Sequence, residues 1–486
     1  MKKDYFINKI KIIFAMLCLA FAVPSIKFMV EKGTLLNFNT YFKFLIDDSN
    51  RLNQTLIYIV ILLGITIFYF LIIKNREKVF KNNKQMWIYI TIISIIFVLV
   101  IPFMCSDVFY YIGIGRINSE YGENPYYITI KEFIEQDENK ELLKEDTVLK
   151  QAYQNDWADS TVVYGPVWTI ICGLIAKMSF GNIDAGILLF KLINLVVHLL
   201  NCYVIYKMTN KKIFVLLYGI NPFVLVEGIA MVHNDIFIVL FTLLSIYFIL
   251  KKKNIMMSLV FLAIATTIKY VTILLLPFII IYYAREYKPS KRFIECIKYG
   301  MIFLIMIIVP YLVYVKDFHI LSGIFIQQEK LAKNFYIILK QYFFEIPNII
   351  GISKKILLGS FIIIYAFTCV ILLNKKKIKF REQMEQYEKF LLAFIFLLIT
   401  NFQPWYILWL FPGVLWQKSY NIRMIIGISI ISQFANAVFL LNGEGWDNGI
   451  PFTFIMITSI LMYYNRINKK RILKLQNQKE DKMWKS

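Results

Sequence analysis

Residues 86–104 read MWIYITIISIIFVLVIPFM, and CSDVFYYIGIGR follows directly at 105–116. The first stretch is long and apolar enough to cross a bilayer as a helix, because no charged side chain interrupts its 19 residues. The second stretch brings a carboxylate, a guanidinium and three aromatic rings to the end of that helix. A charged group at membrane depth usually faces a cavity and often carries function. Together the two stretches predict a helical membrane protein with a site at one membrane surface.

Apolar runs of this kind recur along the whole chain. Hydrophobic residues make up 58% of the 486 residues and charged residues only 18%, whereas a soluble domain is about half apolar and a quarter charged. This composition excludes soluble and disordered proteins. It predicts an all-α, polytopic integral membrane protein with about 13–15 transmembrane or half-membrane helices and a long outer loop that carries short helices. The runs are 12–30, 55–73, 86–104, 163–178, 185–206, 213–230, 234–250, 255–267, 270–283, 297–315, 356–373, 388–400, 404–416, 424–441 and 450–464.

The charges of the loops indicate the side on which each loop lies. The net charge of +22 is explained by Lys and Arg in cytoplasmic loops, and we expect no nucleic-acid partner. The tail from Arg466 carries eight basic residues against two acidic ones and is predicted to lie inside. The loop 105–162 carries twelve acidic residues against five basic ones, so it is predicted to lie outside. The segments 317–355 and 442–449 are assigned to the same outer side.

The number of runs conflicts with these assignments. Both ends of the chain are predicted to lie inside, which requires an even number of crossings, yet the runs number fifteen. One run between 163 and 230 therefore fails to cross. Two candidates stay open, namely 163–178 with Gly165-Pro166 and 213–230 with Asn221-Pro222.

The chain is predicted to form one integral-membrane domain over its whole length. Its first run is interpreted as an uncleaved transmembrane helix, since it continues well past a sequence that imitates a signal-peptide cleavage site. The predicted parts are N-terminal helices in 12–104, the outer loop 105–162, the remaining helices in 163–464 with an amphipathic surface segment at 317–355, and a basic cytoplasmic tail at 465–486.

No metal-binding or nucleotide-binding motif is visible. The six cysteines lack C-x-x-C spacing, and most lie in apolar runs, which is typical of small core residues. The three histidines are too scattered for a zinc site. A phosphate loop of the G-x-x-x-x-G-K-[ST] kind is absent, which argues against an ATP-driven pump. We therefore expect neither a metal nor a cofactor.

Polar and aromatic residues gather at the outer ends of the predicted helices. Either choice of the non-crossing run leaves 233–235 on the outer side, so these groups share one membrane level. They predict a single outward-facing site. Its candidate residues are Asp107, Arg116, Tyr164, Glu227, His233, Asn234, Asp235, Lys269, Gln403, Trp405 and Tyr406.

The residue types of this site suit transfer of a sugar from a lipid phosphate. A carboxylate beside water can take a proton from a hydroxyl nucleophile. Lys and Arg can hold a leaving phosphate, and Tyr and Trp offer flat faces to a sugar. Such a reaction requires neither a nucleotide sugar nor a metal ion.

The order of the motifs resembles that of the polyprenol-phosphate-mannose-dependent mannosyltransferases, which are multi-spanning enzymes of the GT-C superfamily. The resemblance implies that Asp107 is the catalytic base or positions the acceptor, and that the His-Asn-Asp motif lies near the donor or acceptor. The matching motifs are D-x-x-Y-Y-x-x-x-G-R from Asp107, G-x-N-P-Y from Gly122, Y-G-P-x-W from Tyr164, Asn221-Pro222, His233-Asn234-Asp235, and W-Y-x-L-W at 405–409.

Most of these residues also have a structural interpretation. Asp107, Asn234 and Asp235 could cap the helices that follow them. Lys269 could extend its amine to the interface, and Arg116 could be a solvated loop charge. The remaining structural interpretations are backbone breaks at Gly165-Pro166 and Asn221-Pro222, a turn cap for Glu227, and an aromatic belt for Gln403, Trp405 and Tyr406.

The leading hypothesis is a membrane glycosyltransferase at the outer face of the plasma membrane. It moves a mannose-like hexose from a polyprenyl-phosphate donor to a hydroxyl of a cell-surface glycan or lipid. Asp107 deprotonates or orients the acceptor, and Lys269 or Arg116 steadies the departing phosphate. The alternative is a transporter or flippase of lipid-linked sugars, which needs matching polar groups on the cytoplasmic side. There the predicted helices end in Lys and Arg clusters only. A non-catalytic scaffold does not explain so many costly polar groups.

Overall fold

The computed structural model describes residues 2–32, 51–329, 349–375, 378–399, 401–416 and 419–442. Within these ranges the chain is helical and contains no β-strand, which confirms the predicted all-α class. The α-helices are α1 Lys2–Lys32, α2 Arg51–Val79, α3 Asn83–Val98, α4 Asp107–Ser119, α5 Ile130–Glu135, α6 Leu142–Glu145, α7 Thr147–Tyr153, α8 Pro166–Met178, α9 Ile183–Thr209, α10 Lys212–Gly219, α11 Asp235–Lys251, α12 Ile255–Thr266, α13 Leu276–Ala284, α14 Pro289–Tyr311, α15 Ser322–Glu329, α16 Ile349–Asn374, α17 Phe380–Ala393 and α18 Ser419–Asn442. The π-helical segments are Val224–Ala230 and Phe394–Leu398, and the 3₁₀ segments are Tyr270–Leu275, Phe318–Leu321 and Pro404–Trp416.

Several helices are long and apolar enough to cross a membrane, which confirms a multi-pass membrane protein. In the part of the chain that the structure describes, five of them qualify individually, namely Lys9–Lys32, Arg51–Val79, Ile183–Thr209, Pro289–Tyr311 and Gly351–Asn374. The shorter apolar helices are Asn83–Val98, Pro166–Met178, Ile255–Thr266, Tyr270–Ala284 and Ile422–Phe434. Short helices of this kind agree with the expectation of half-membrane elements that line a protein interior.

The helix predicted over 86–104 ends early. It stops at Val98, and the chain continues without regular structure to the start of α4. Pro102 accounts for this, because proline lacks an N–H and disfavours a helical residue before it. Other helices satisfy the released backbone groups: Lys191 donates to the Val100 carbonyl, and the Ile101 N–H donates to Ser25 Oγ at 3.0 Å. The segment leading to the outer loop is therefore held in place by side chains.

The two candidates for a run that fails to cross differ in shape. The helix Pro166–Met178 is continuous. In contrast, Lys212–Gly219 and Val224–Ala230 together form an apolar pair that is bent by 58°. The bend falls at the predicted break Asn221-Pro222, where Asn221 Oδ1 accepts the Phe223 N–H at 2.9 Å. This bend redirects the chain just before the His-Asn-Asp motif.

The predicted outer loop 105–162 folds into the four short helices α4 to α7. Its first helix packs closely on α8 at Gly115. A Cβ at this position would lie 2.2 Å from the carbonyl oxygen of Cys172, so the approach requires glycine. Thr129 and Glu132 form a capping box at the start of α5. Asp146 caps α7 by accepting two backbone N–H groups. These local devices give the loop a defined path over the membrane helices.

Some predicted parts lie outside the described residues. Of the amphipathic segment 317–355, the structure describes a 3₁₀ turn, α15 and the first turns of α16, while 330–348 is not covered. The outer segment 442–449 beyond its first residue, the run 450–464 and the tail 465–486 also fall outside them.

Candidate active site

A buried histidine joins two carboxylates from different parts of the chain. His233 Nδ1 lies 3.7 Å from Asp107 Oδ2, and His233 Nε2 lies 3.2 Å from Glu227 Oε2. Tyr111, one turn further along α4, donates its hydroxyl to Asp107 Oδ2 at 3.3 Å. Asn436 of α18 donates to Glu227 Oε1 at 2.7 Å. The cluster therefore ties the start of the outer loop to the bent segment and to the last described helix.

Backbone geometry and ring stacking fix the histidine. Val232 adopts a φ of 64°, a left-handed conformation that is unusual for a β-branched residue. This turn precedes His233 directly. The imidazole stacks on Trp405, with ring centroids 3.9 Å apart and planes inclined by 17°. The imidazole therefore has little freedom to rotate between its two carboxylates.

Asp107 and His233 each shift the pKa of the other. Burial alone would raise the pKa of Asp107, but the hydrogen bond and charge of His233 outweigh it and lower that pKa. Burial alone would lower the pKa of His233, but Cys105, Asp107 and Glu227 raise it well above its ordinary value. Burial raises the pKa of the Cys105 thiol to about 12. The lowered pKa of Asp107 favours its ionised form, the carboxylate.

A second buried pair lies beside the first cluster. Lys269 Nζ is 2.9 Å from Asp235 Oδ1, and the Trp409 indole N–H donates to the same oxygen. The ammonium lies over the Tyr406 ring, 4.5 Å from its centroid, and Tyr406 stacks on Trp409 with centroids 4.4 Å apart. The aromatic rings therefore hold the Lys269 ammonium on one side through cation–π interactions.

Asp107 of the first cluster and Lys269 of this pair line one open pocket with a free volume of about 200 Å³. Two further carboxylates of the outer loop, Glu132 and Asp159, also line it. Neither carboxylate was predicted from the sequence, although the acidic composition of 105–162 indicated that carboxylates would be near the site. The predicted residues that line the pocket are Asp107, Tyr164, Lys269, Gln403, Trp405 and Tyr406.

Four predicted residues lie behind this pocket instead of on its surface. They are Glu227, His233, Asn234 and Asp235, whose exposed fractions are 1% or less. Asn234 occupies the N-cap position of α11 but makes no side-chain cap hydrogen bond. Asp235 uses its side chain for Lys269, so the capping interpretation of this pair is wrong. The turn-cap interpretation of Glu227 is also wrong, because the Asn221 side chain accepts the N–H in that turn.

Arg116 lies apart from the pocket and makes its contacts within loop 105–162. Its Nε donates to Asp146 Oδ2 at 2.9 Å, and the Tyr121 hydroxyl donates to the same oxygen at 3.0 Å. These contacts link α4 to the start of α7. The side chain is thus an internal tie of the outer loop.

One face of α9 carries polar residues that the sequence interpretation overlooked. Asn194 donates to the carbonyls of Gly228 and His233, at 2.7 and 3.3 Å. The other members of this face also bind backbone carbonyls of the bent segment and α11, namely Lys191 that of Ala230, His198 that of Gly219, and Asn201 that of Ile236. Their helical spacing inside an apolar run was a readable signal, since buried polar groups in membrane helices need partners. This face holds the backbone that presents the histidine.

One group of side chains also has the composition of a metal site. The ligand atoms of Cys105, Asp107 and His233 all lie within 4.8 Å of one another. The sequence did not predict this set, because the three residues do not follow one another with the spacing of a zinc-binding motif.

Comparison with known proteins identifies the family. A sequence model described as "Alpha-(1->6)-mannopyranosyltransferase, N-terminal domain" matches residues 13–285, which is more than half of the chain. That range includes both buried clusters except for their contacts from the 3₁₀ segment Pro404–Trp416 and from α18. Neither the curated proteins nor the solved structures contain a significant match. The fold, the membrane helices and this match agree with the resemblance found in the sequence, and the chain belongs to the alpha-(1->6)-mannopyranosyltransferase family of membrane glycosyltransferases.

Proposed function

We propose that this mannosyltransferase takes mannose from a polyprenyl-phosphate carrier and attaches it to a hydroxyl of a glycan or glycolipid at the outer leaflet of the plasma membrane. The observation that carries the proposal is that Asp107 and Lys269 line the same pocket. A base for the acceptor and a cation for the leaving phosphate are the two groups that this reaction needs.

Asp107 is the proposed base. Its position at the N-terminus of α4 and its contacts with Tyr111 and His233 favour the ionised carboxylate, which can accept a proton. Its side chain also reaches the pocket, so an acceptor hydroxyl can approach it. His233 and Glu227 act through Asp107, since they hold it from behind and do not line the pocket.

Lys269 is the proposed contact for the phosphate. It lines the pocket while its other contacts, Asp235 and the Tyr406 ring, hold the ammonium in one place. In the reaction the acceptor oxygen bonds to the anomeric carbon while the bond from that carbon to the phosphate oxygen breaks. The acceptor proton passes to Asp107, and the electron pair leaves with the polyprenyl phosphate, whose charge Lys269 offsets. A single displacement on a β-linked donor gives an α-mannoside, in line with the family description.

The distribution of basic groups supports an outward-facing pocket. The acidic loop 105–162 supplies much of the lining. Two arginines of the basic loop near α14 instead bind the end of α16: Arg285 donates to the Lys375 carbonyl and Arg292 to the Leu373 carbonyl, both at 3.0 Å. Loops rich in Lys and Arg are typical of the cytoplasmic face.

The test is transfer of labelled mannose by the protein purified in detergent. Labelled polyprenyl-phosphate mannose and a mannoside acceptor are supplied, and product is separated from donor. Asp107→Asn is expected to lower the rate by about 10²–10⁴-fold, the usual contribution of a general base. Asp137→Asn is the matched control, because Asp137 is an exposed loop carboxylate paired with Lys140.

Three outcomes would contradict parts of this proposal. Equal rates for Asp107→Asn and Asp137→Asn would remove the base assignment. Loss of transfer in Asp159→Asn but not in Asp107→Asn would move the base to the other pocket carboxylate. Movement of the donor lipid across reconstituted vesicles without any transfer would favour the transporter alternative.

A further inference from the structure

Three side chains of different chemistry converge where the outer loop meets the bent segment. Cys105 Sγ lies 3.9 Å from His233 Nδ1, and Asp107 Oδ2 lies 3.7 Å from the same nitrogen. We infer that Cys105, Asp107 and His233 form a binding site for one divalent transition-metal ion of the zinc class, with a fourth position open to the pocket. This goes beyond the proposed transfer reaction, which names no metal.

The spacing of the three ligand atoms suits a small tetrahedral ion. Such an ion binds sulfur, nitrogen and oxygen at about 2.0–2.3 Å, so its ligand atoms lie roughly 3.3–3.8 Å from one another. The two separations to His233 Nδ1 are near the upper end of that interval, and all three ligand atoms lie within 4.8 Å of one another. A thiolate, an imidazole and a carboxylate are also the three ligand types that zinc uses in proteins. Small side-chain movements would complete the site.

The surroundings of His233 provide an independent argument. A metal-bound imidazole usually donates its other N–H to a carboxylate, which fixes the ring and makes it a better ligand. Here Nδ1 faces the cluster and Nε2 lies 3.2 Å from Glu227 Oε2. Asn436 in turn donates to Glu227 Oε1. Among the described residues Nε2 makes no hydrogen bond, so a small rotation of the imidazole or of Glu227 would complete the outer support that such a ligand requires.

The ion would be reached from the pocket. Asp107 lines it, while Cys105 and His233 are almost fully buried behind, with exposed fractions of 6% and 0%. A site with three protein ligands and one open position is typical of catalytic metals. The open position would take an oxygen ligand, such as a hydroxyl or a phosphate oxygen. Binding would also displace the proton of the Cys105 thiol, as metals do with coordinated thiols.

The experiment uses Co²⁺ as a spectroscopic probe on the full-length protein, purified in detergent through a tag without histidine and stripped with a chelator. Thiolate ligation gives an intense near-ultraviolet charge-transfer band that does not depend on turnover. The expected result is saturable binding of one Co²⁺ per chain with this band. Cys105→Ser should abolish the band, and Glu227→Gln should weaken binding by about 10–100-fold, as loss of an outer-shell partner does.

Cys202→Ser is the matched control. Its sulfur lies 3.9 Å from His198 Nε2, the same separation as in the proposed site, but Cys202 and His198 belong to no ligand group of three among the described residues. This variant should keep the band. Absence of the band in the wild-type protein, or its survival in Cys105→Ser, would overturn the inference. Because the measurement needs no substrate, its failure is distinct from failure of the proposed mannosyl transfer.

Discussion

Neutralising both members of the pair Asp235–Lys269 should be far less damaging to stability than neutralising either one. Asp235→Asn and Lys269→Met are the two single changes, and each nearly preserves side-chain shape. The carboxylate is fully buried, and the lysine side chain is 16% exposed, with Nζ 2.9 Å from Oδ1. Each single variant therefore leaves one charge in a poorly hydrated place without its partner.

The magnitudes differ between the two single variants. Removing one member of a buried pair typically costs about 3–5 kcal/mol. Lys269→Met should fall in this range, because among the described residues the remaining carboxylate keeps one donor, the Trp409 N–H. Asp235→Asn should cost less, about 2–4 kcal/mol, because the ammonium keeps its contact with the Tyr406 ring. The double variant removes both charges, so the coupling between the two changes should be at least about 2 kcal/mol.

The assay is the free energy of unfolding in mixed detergent micelles for the wild type, both single variants and the double variant. Mannosyl transfer is measured on the same samples. The double variant should regain stability and remain inactive, because the pocket has lost its cation. Additive losses in the double variant would refute the reasoning, since they would mean that the two charges do not compensate each other.

Two further changes address the outer loop. Gly115→Ala should lower the free energy of unfolding by about 1–3 kcal/mol or more, because the new Cβ would lie 2.2 Å from the Cys172 carbonyl oxygen. Gly300→Ala is the control, since a Cβ there meets nothing within 4 Å. Equal stability of the two variants would contradict close packing of the helices at Gly115. Arg116→Met should lower stability by about 1.5–3 kcal/mol through loss of the Asp146 contact and expose the loop to limited proteolysis, with a smaller effect on transfer. If Arg116→Met lost mannosyl transfer at unchanged stability, Arg116 would have a role in the reaction and not only in the loop.

The sequence predicted the class of the protein because that class depends on local properties. The length and apolar character of each run decide whether a helix can cross a bilayer, and no knowledge of its neighbours is needed. The break at Asn221-Pro222 was predictable for the same reason, since proline acts on the backbone beside it. The family was also recognisable, because the order of short motifs is a property of the chain alone.

The candidate site was predictable only as a set of residues. Polar side chains at the ends of apolar runs are expensive, so Asp107, His233, Asp235 and Lys269 stood out without a structure. The same argument applied to the polar face of α9, but its residues lie mid-run and were overlooked. Arg116 also stood out by position, although its charge is used within the loop.

By itself, the sequence determined the helical membrane architecture, the family, and the set of polar residues whose burial in a membrane costs free energy. Only the tertiary structure decided which of these polar residues contact one another: His233 lies between Asp107 and Glu227, and Lys269 pairs with Asp235. The physical reason is that a buried polar group can be satisfied by any partner that packing brings within hydrogen-bond reach. Helix packing decides which residues that are far apart in the chain become partners, so their spacing in the sequence does not predict the pairs.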